Sequence, residues 1–160
     1  MVEQYTKACK VKSRDPDRQA EIVSFYLAHT AAVNNWDLVD SSAHKILGHW
    51  LLEHEEERYL LMQLADSTNL WEQRIAVIAT LPLTQAGDLG PILNLSKKLL
   101  NHPHDLMHKA IGWMLREMGK INLAELRAFL AEHHQLMPRT MLRYAIEKLP
   151  PEERKRWMRR

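Results

Sequence analysis

The segment HDLMHKAIGWMLREMG (residues 104–119) decides the fold class, because its apolar residues recur at spacings of three and four. This period places one stripe of side chains on a single face of an α-helix. The stripe consists of Met107, Ala110, Ile111, Met114, Leu115 and Met118. The same period recurs along the chain, and the alternating β-branched runs typical of strands do not occur. We therefore predict an all-α protein.

Caps and breakers place the other helices. Asp15, Asn35, Asn69 and Asn122 are predicted N-caps, and Pro82, Gly87, Pro103, Gly119 and Pro138 are predicted breakers. The predicted helices cover residues 16–32, 36–53, 57–65, 70–80, 88–100, 104–118, 123–134 and 138–148, and a short basic helix follows from Pro150. Similar constellations recur every 34 to 39 residues, which favours a solenoid of HEAT-like helical repeats over a bundle. We expect a single domain over residues 1–160.

Composition narrows the class of protein. The chain is 46% hydrophobic and 26% charged, as globular rather than disordered proteins are. No apolar run is long enough to cross a bilayer and the N-terminus lacks signal-peptide order, so we expect a cytoplasmic protein. Cys9 is the only cysteine, which excludes an intrachain disulfide and a cysteine-rich zinc site.

Charge is distributed unevenly along the chain. Residues 1–96 hold 8 Lys and Arg against 13 Asp and Glu, whereas residues 97–160 hold 14 against 7. A basic half can bind a polyanion such as nucleic acid, although solvated helix faces are often basic too.

The segment VNNWDLVDSSAHKILG (residues 33–48) places an indole beside a carboxylate. Trp36 and Asp40 are one helical turn apart, so their side chains share a face. Asp40 also flanks the apolar stripe of Ala43, Ile46, Leu47, Trp50 and Leu51. A carboxylate beside this stripe would be partly shielded from water and is a candidate catalytic residue. Alternatively it interacts with the helix dipole near the helix start.

Cations accompany aromatic rings on later helices. Lys109 and Arg116 bracket Trp113 on the face next to the stripe, which suits stacking on a sugar or base with phosphate pairing. The alternative is a tryptophan packed between helices. Gly112 beside that ring would let a backbone or a ligand approach closely.

Arg74 interrupts an apolar helix and points either to solvent or to an anion. Repetition of such cations, including the pair Arg139 and Arg143, favours one phosphate-binding face.

Other chemistries find little support. His104 and His108 have a spacing that can hold zinc, but no third ligand is evident, so we expect no metal. A nucleophile elbow and a phosphate-binding P-loop are both missing from the sequence. We expect no cofactor.

Four segments in order, NNWDLVDSSA, LWEQRIAVIAT, HDLMHKAIGWMLREMGK and MPRTMLRYAIEKLP, resemble the AlkD-like DNA alkylation repair glycosylase family. The resemblance implies stacked HEAT-like repeats, duplex DNA as the partner, and hydrolytic excision of cationic N3- and N7-alkylpurines without base extrusion. By motif position, Asp40 is similar to the catalytic aspartate, and Trp36 and Trp113 to the tryptophans that frame the lesion's sugar. Arg74 and Arg116 fall at positions where the family contacts the DNA phosphate backbone. We add Lys109, Arg139 and Arg143 as expected DNA contacts because of the helix faces on which they lie.

The chain departs from the family at its N-terminus, where members carry additional helices before NNWDLVD. We therefore expect the first repeats to be absent here. An apolar helix face left exposed there could serve as a homodimer contact. The alternative functions are a noncatalytic HEAT-repeat scaffold that binds damaged or branched DNA and, less favoured, a protein-binding repeat.

Overall fold

The computed structural model describes residues 1–10 and 14–159, and these residues form helices and turns without a strand. The helices are α1 (Val2–Ala8), α2 (Pro16–Ala28), α3 (Trp36–Ser42), α4 (His49–Glu53), α5 (Tyr59–Ala65), α6 (Leu70–Gln85), α7 (Gly90–Lys98), α8 (Asp105–Ile121), α9 (Leu123–His133), α10 (Arg139–Ala145) and α11 (Pro151–Met158). Short 3₁₀ turns cover Thr30–Ala32 and Glu55–Glu57. The prediction of an all-α fold is confirmed.

Side-chain caps begin several of these helices, as the sequence predicts. The Asp15 carboxylate accepts the backbone N–H of Arg18 at 3.0 Å and fixes the start of α2. The Asn69 side chain accepts the N–H of Trp71 at 2.9 Å at the start of α6. The Asn122 side chain accepts two N–H groups at the start of α9. Each cap satisfies backbone donors that the first turn leaves without helical partners.

The chain divides into two compact units, Met1–Leu83 and Thr84–Arg160, and the boundary falls inside α6. In the first unit α1 packs on α2, and both contact a π-helical turn at His44–Gly48. In the second unit α8 is central and packs on α7, α9 and α10. The expectation of a single domain stays a prediction.

A π-helical turn joins α3 to α4. The Gly48 N–H reaches the Ala43 carbonyl at 2.9 Å, five residues back instead of four. Such turns insert one extra residue and rotate the face that follows. The predicted stripe of Ala43, Ile46, Leu47, Trp50 and Leu51 is nevertheless buried throughout, so its assignment to the core is confirmed.

Four predicted helix ends are wrong. Helix α2 ends at Ala28 instead of near residue 32, and α10 ends at Ala145 instead of at residue 148. We expected α6 to stop near residue 80, before Pro82, and α8 to stop at residue 118, before Gly119, but both helices continue through these residues. Pro82 and the next residue, Leu83, are buried, so packing outweighs the helix-breaking tendency of proline. A Cβ on Gly119 would lie 2.5 Å from Leu126 Cδ2. This glycine therefore lets α9 pack closely against α8, and it does not end α8.

The stripe on α8 forms the core of the second unit. All six of its residues, Met107, Ala110, Ile111, Met114, Leu115 and Met118, are fully buried. Gly112 lies on the same helix where α10 crosses it: a Cβ there would lie 2.5 Å from the Met141 carbonyl oxygen and from Tyr144 Cβ. The close approach expected at Gly112 is therefore made by a neighbouring backbone.

The N-terminal face carries the exposed apolar residues expected for a homodimer contact. Phe25 is 51% exposed and Met1 is 45% exposed. Both line an open recess that Ile22 and Arg18 also border. Dimerisation through this face stays a prediction. No helix in the described part of the chain combines the length and apolarity needed to cross a membrane.

Candidate functional site

The carboxylate of Asp40 is held by a buried arginine. Arg74 donates from Nε to Oδ1 at 2.9 Å and from Nη2 to Oδ2 at 2.8 Å, which is a bidentate pair. The Asp40 side chain is 19% exposed and that of Arg74 only 5%. The planar guanidinium fork therefore fixes the direction of both carboxylate oxygens, while part of the carboxylate still faces solvent.

Local structure explains why Arg74 points inward. It lies in the second turn of α6, directly before the fully buried run Ile75–Ala79. A guanidinium in such surroundings needs a partner, because an unpaired buried charge costs several kcal/mol. Asp40, on α3, supplies that partner. Of the two directions that the sequence left open for Arg74, solvent or an anion, the structure has an anion from the protein itself.

This position bears on the predicted phosphate contact of Arg74. The guanidinium is buried and its fork is occupied by Asp40, so a DNA phosphate would have to compete with a carboxylate already in place. A phosphate contact by Arg74 stays a prediction. In the structure, Arg74 orients the Asp40 carboxylate. Sequence reasoning missed this pair, although an arginine among apolar residues in α6 was its signal.

Trp36 provides an exposed indole on the same helix as Asp40. It is the first residue of α3 and is 53% exposed, an unusual position for so large an apolar ring. The Asn35 side chain caps this helix through the Asp37 N–H. Because Trp36 and Asp40 are one turn apart, a ring face and a carboxylate lie along one side of α3.

His44 is a titratable neighbour that the sequence analysis did not single out. It begins the π-helical turn, one turn after Asp40. Burial lowers the pKa of the His44 imidazole below its ordinary value, and the nearby charge of Lys45 acts in the same direction. A hydrogen bond with the Asp40 backbone opposes these two effects on the pKa, and the charge of the Asp40 carboxylate adds a smaller contribution in the same opposing direction. Neutral imidazole is therefore favoured beside the Asp40 and Arg74 pair.

In the second unit, α8 carries Trp113 with Lys109 and Arg116. Trp113 is half-buried. Lys109 pairs with Asp105 on the same helix, Nζ to Oδ2 at 2.9 Å. Arg116 is held more firmly, since it pairs with Glu147 and approaches Glu117, and its side chain is 19% exposed. Arg116, which is predicted to contact DNA phosphate, thus already lies beside the carboxylates of Glu117 and Glu147.

The two arginines of α10 behave differently from each other. Both are exposed. Arg139 donates from Nη1 to the carbonyl oxygen of Met158 at 2.7 Å and so caps the C-terminal end of α11. For Arg143, the described residues provide no ion pair. Arg143 is therefore the more available cation of this predicted basic edge.

The clustered histidines have structural roles. His104 Nδ1 accepts the Leu106 N–H at 3.2 Å and caps α8, and His102 Nδ1 accepts the His104 N–H at 3.1 Å. Burial lowers the pKa of His102, and the nearby His108 and His104 add to this effect. Within residues 1–10 and 14–159, no group of three or more His, Cys, Asp or Glu side chains is arranged to hold a metal ion.

Comparisons with known proteins agree with the resemblance found in the sequence. A comparison with curated proteins found no match. Among solved structures, the chain is similar to a predicted DNA alkylation repair enzyme from Enterococcus faecalis, with a TM-score of 0.69 and 21% identity. That match covers 94% of this chain and 74% of the other, and it supports the shared fold. A family model for DNA alkylation repair enzymes matches residues 2–149, and the chain therefore belongs to the DNA alkylation repair enzyme family.

Proposed function

We propose that this protein is a DNA glycosylase that hydrolyses the N-glycosidic bond of cationic N3- and N7-alkylpurines in duplex DNA. One observation carries the proposal. The Asp40 carboxylate is shielded yet still reachable, the buried Arg74 orients it, and its own helix α3 also exposes Trp36. Family membership supports a role in alkylation repair. The glycosylase chemistry is our inference from the residues.

The reaction requires little of the enzyme. An alkylated purine is already a cation, so the bond between the sugar C1′ and the purine nitrogen breaks with its electron pair leaving on the base. The sugar then carries developing positive charge, which a fixed carboxylate stabilises. Water attacks C1′, and Asp40 accepts or directs the proton that the water loses. The products are an abasic sugar and a neutral alkylated base.

Arg74 is a positioning residue in this proposal. It occupies one lone pair on each carboxylate oxygen, and each oxygen keeps a second lone pair for water or for the sugar cation. Holding the carboxylate rigid avoids reorganisation as the sugar becomes charged. Arg74 thus acts on the substrate through Asp40.

The tryptophans keep the roles that the resemblance implies. The exposed face of Trp36 would stabilise the sugar cation by a cation–π interaction. Trp113 is proposed to contact the lesion's sugar as well. The backbone of duplex DNA would be bound by exposed cations, of which Lys109, Arg139 and Arg143 retain solvent access.

A direct assay tests the proposal. Purified protein is incubated with duplex DNA methylated by a simple alkylating agent, and free 7-methylguanine and 3-methyladenine are quantified by chromatography. We expect release in proportion to enzyme and time. A control incubation with unmethylated duplex should release no base. Absence of release at saturating protein would overturn the assignment as a glycosylase.

The second candidate is a noncatalytic scaffold that binds damaged or branched DNA. The Asp40–Arg74 pair is compatible with this candidate, because bidentate pairs of this kind also occur as purely structural links. The two candidates separate in the same assay. Salt-sensitive DNA binding without base release selects the scaffold, whereas base release selects the glycosylase.

A further inference from the structure

The helices α10 and α11 border an open groove, which shares only Arg143 with the residues proposed above to bind duplex DNA. Its volume is about 490 Å³, within the range of small-ligand sites. Ile146, Pro151 and Met158 provide apolar surface along it. The cations Arg143, Arg154 and Lys155 line the same groove. An apolar recess with several cations suits a ligand that is part anion and part apolar ring.

The groove keeps two arginines whose charges have no counterion among the described residues. Arg143 and Arg154 are exposed, and the described part of the chain gives neither of them an ion pair. Lys155 pairs with Glu152 at 2.8 Å, but both side chains are largely exposed, and such pairs contribute little. Glu147 is the acid that lines the groove, and it is already bound to Arg116. The groove therefore keeps a net positive character.

Contacts at both ends of α11 preform the groove. Glu153, near the start of α11, accepts two bonds at 2.9 Å from Arg127 on α9. Arg139 on α10 holds the Met158 carbonyl at the far end. The helix is thus fixed to its neighbours at each end of the groove. A ligand would meet a groove that is already ordered, which lowers the entropic cost of binding.

We propose that this groove binds one unpaired nucleotide of a DNA strand. Arg143 and Arg154 would hold its phosphate, and the surface of Ile146, Pro151 and Met158 would receive its base and sugar. Paired duplex presents phosphates and sugar edges but keeps its bases stacked, so it cannot fill an apolar recess. An unpaired nucleotide can. The inference rests on the proposed function only in taking DNA as the ligand.

The test compares two unmethylated probes, a blunt fluorescent duplex and the same duplex with a short oligothymidylate overhang. Affinities are measured by anisotropy over a salt series. We expect wild type to bind the overhang probe several-fold more tightly. The Arg143→Gln/Arg154→Gln variant should lose this preference, and the slope of log affinity against log salt for the overhang probe should become shallower by about 1 to 2.

Two further variants sharpen the test. Lys10→Gln/Lys97→Gln removes the same charge from exposed positions outside the groove and should keep the preference for the overhang. Met158→Gln leaves the Met158 carbonyl available to Arg139 and should weaken overhang binding without changing the salt slope. Circular dichroism and thermal melting establish that each variant folds.

Several results would overturn the groove. These are equal wild-type affinity for the two probes, an arginine double variant that behaves like the lysine control, or overhang binding that ignores Met158→Gln. Because the probes are unmethylated, no base release is needed. If the protein prefers the overhang but releases no base from methylated DNA, the glycosylase proposal fails and the nucleotide-binding groove stands. If it releases base but shows no preference for the overhang, only the groove proposal fails.

Discussion

At the scale of single residues, the pairing of Asp40 with Arg74 is the feature on which the proposed chemistry depends. The resemblance singled out Asp40, but its partner lies 34 residues later in the sequence, on another helix. No local pattern links the two, because their contact arises only when α3 and α6 pack. The sequence could therefore nominate Asp40 as a candidate catalytic acid, a role that stays a prediction, whereas the orientation of its carboxylate became visible only in the fold.

Removing the arginine should affect both stability and base release. We expect Arg74→Gln to lower the free energy of unfolding by about 2 kcal/mol, between the values for exposed and fully buried pairs. Base release should slow because the carboxylate loses its fixed direction, and Arg74→Lys should recover part of the rate by restoring charge without the fork. Urea denaturation and single-turnover release measure the two effects. Full release by Arg74→Gln would show that Asp40 needs no orienting partner.

Glycine and proline limit what can be predicted at the scale of elements. The period of apolar residues correctly predicted the helices and the buried stripe of α8. Helix ends were less predictable, since α6 continues through Pro82 and α8 through Gly119. Both residues normally disfavour helix interiors by local effects, which tertiary packing outweighs here. The π-helical turn at His44–Gly48 left no signal in the spacing of apolar residues.

The crossing of α8 and α10 gives a prediction about packing. We expect Gly112→Ala to destabilise the protein by about 1 to 3 kcal/mol, because its Cβ would lie 2.5 Å from backbone at Met141. Gly90→Ala is the matched control, since its Cβ would meet only Asp88 Oδ1 at an ordinary 3.5 Å. Thermal melting of both variants decides the matter. Equal melting temperatures would mean that α10 can move away from α8 at little cost.

For the whole molecule, exposed cations should determine how DNA binding responds to salt. Arg143 is exposed, whereas Arg116 already lies between Glu147 and Glu117. We expect Arg143→Gln to make the salt slope for undamaged duplex shallower by about 1, and Arg116→Gln to change it by less than about 0.5. Fluorescence anisotropy over a salt series provides the slopes. A larger change for Arg116→Gln would mean that this guanidinium exchanges its carboxylates for phosphate.

A comparison of Asp40→Asn with Asp37→Asn tests whether the Asp40 carboxylate is needed for base release. Both acids lie on α3, but Asp37 is exposed in the first turn, whereas Asp40 is shielded and paired. Single-turnover release of 7-methylguanine from methylated duplex is measured for each, with DNA affinity determined in parallel. We predict that Asp40→Asn slows release by about 10²- to 10⁴-fold with affinity nearly unchanged, while Asp37→Asn releases base at the wild-type rate. Equal release rates for the two variants would show that Asp40 has no special role in the reaction.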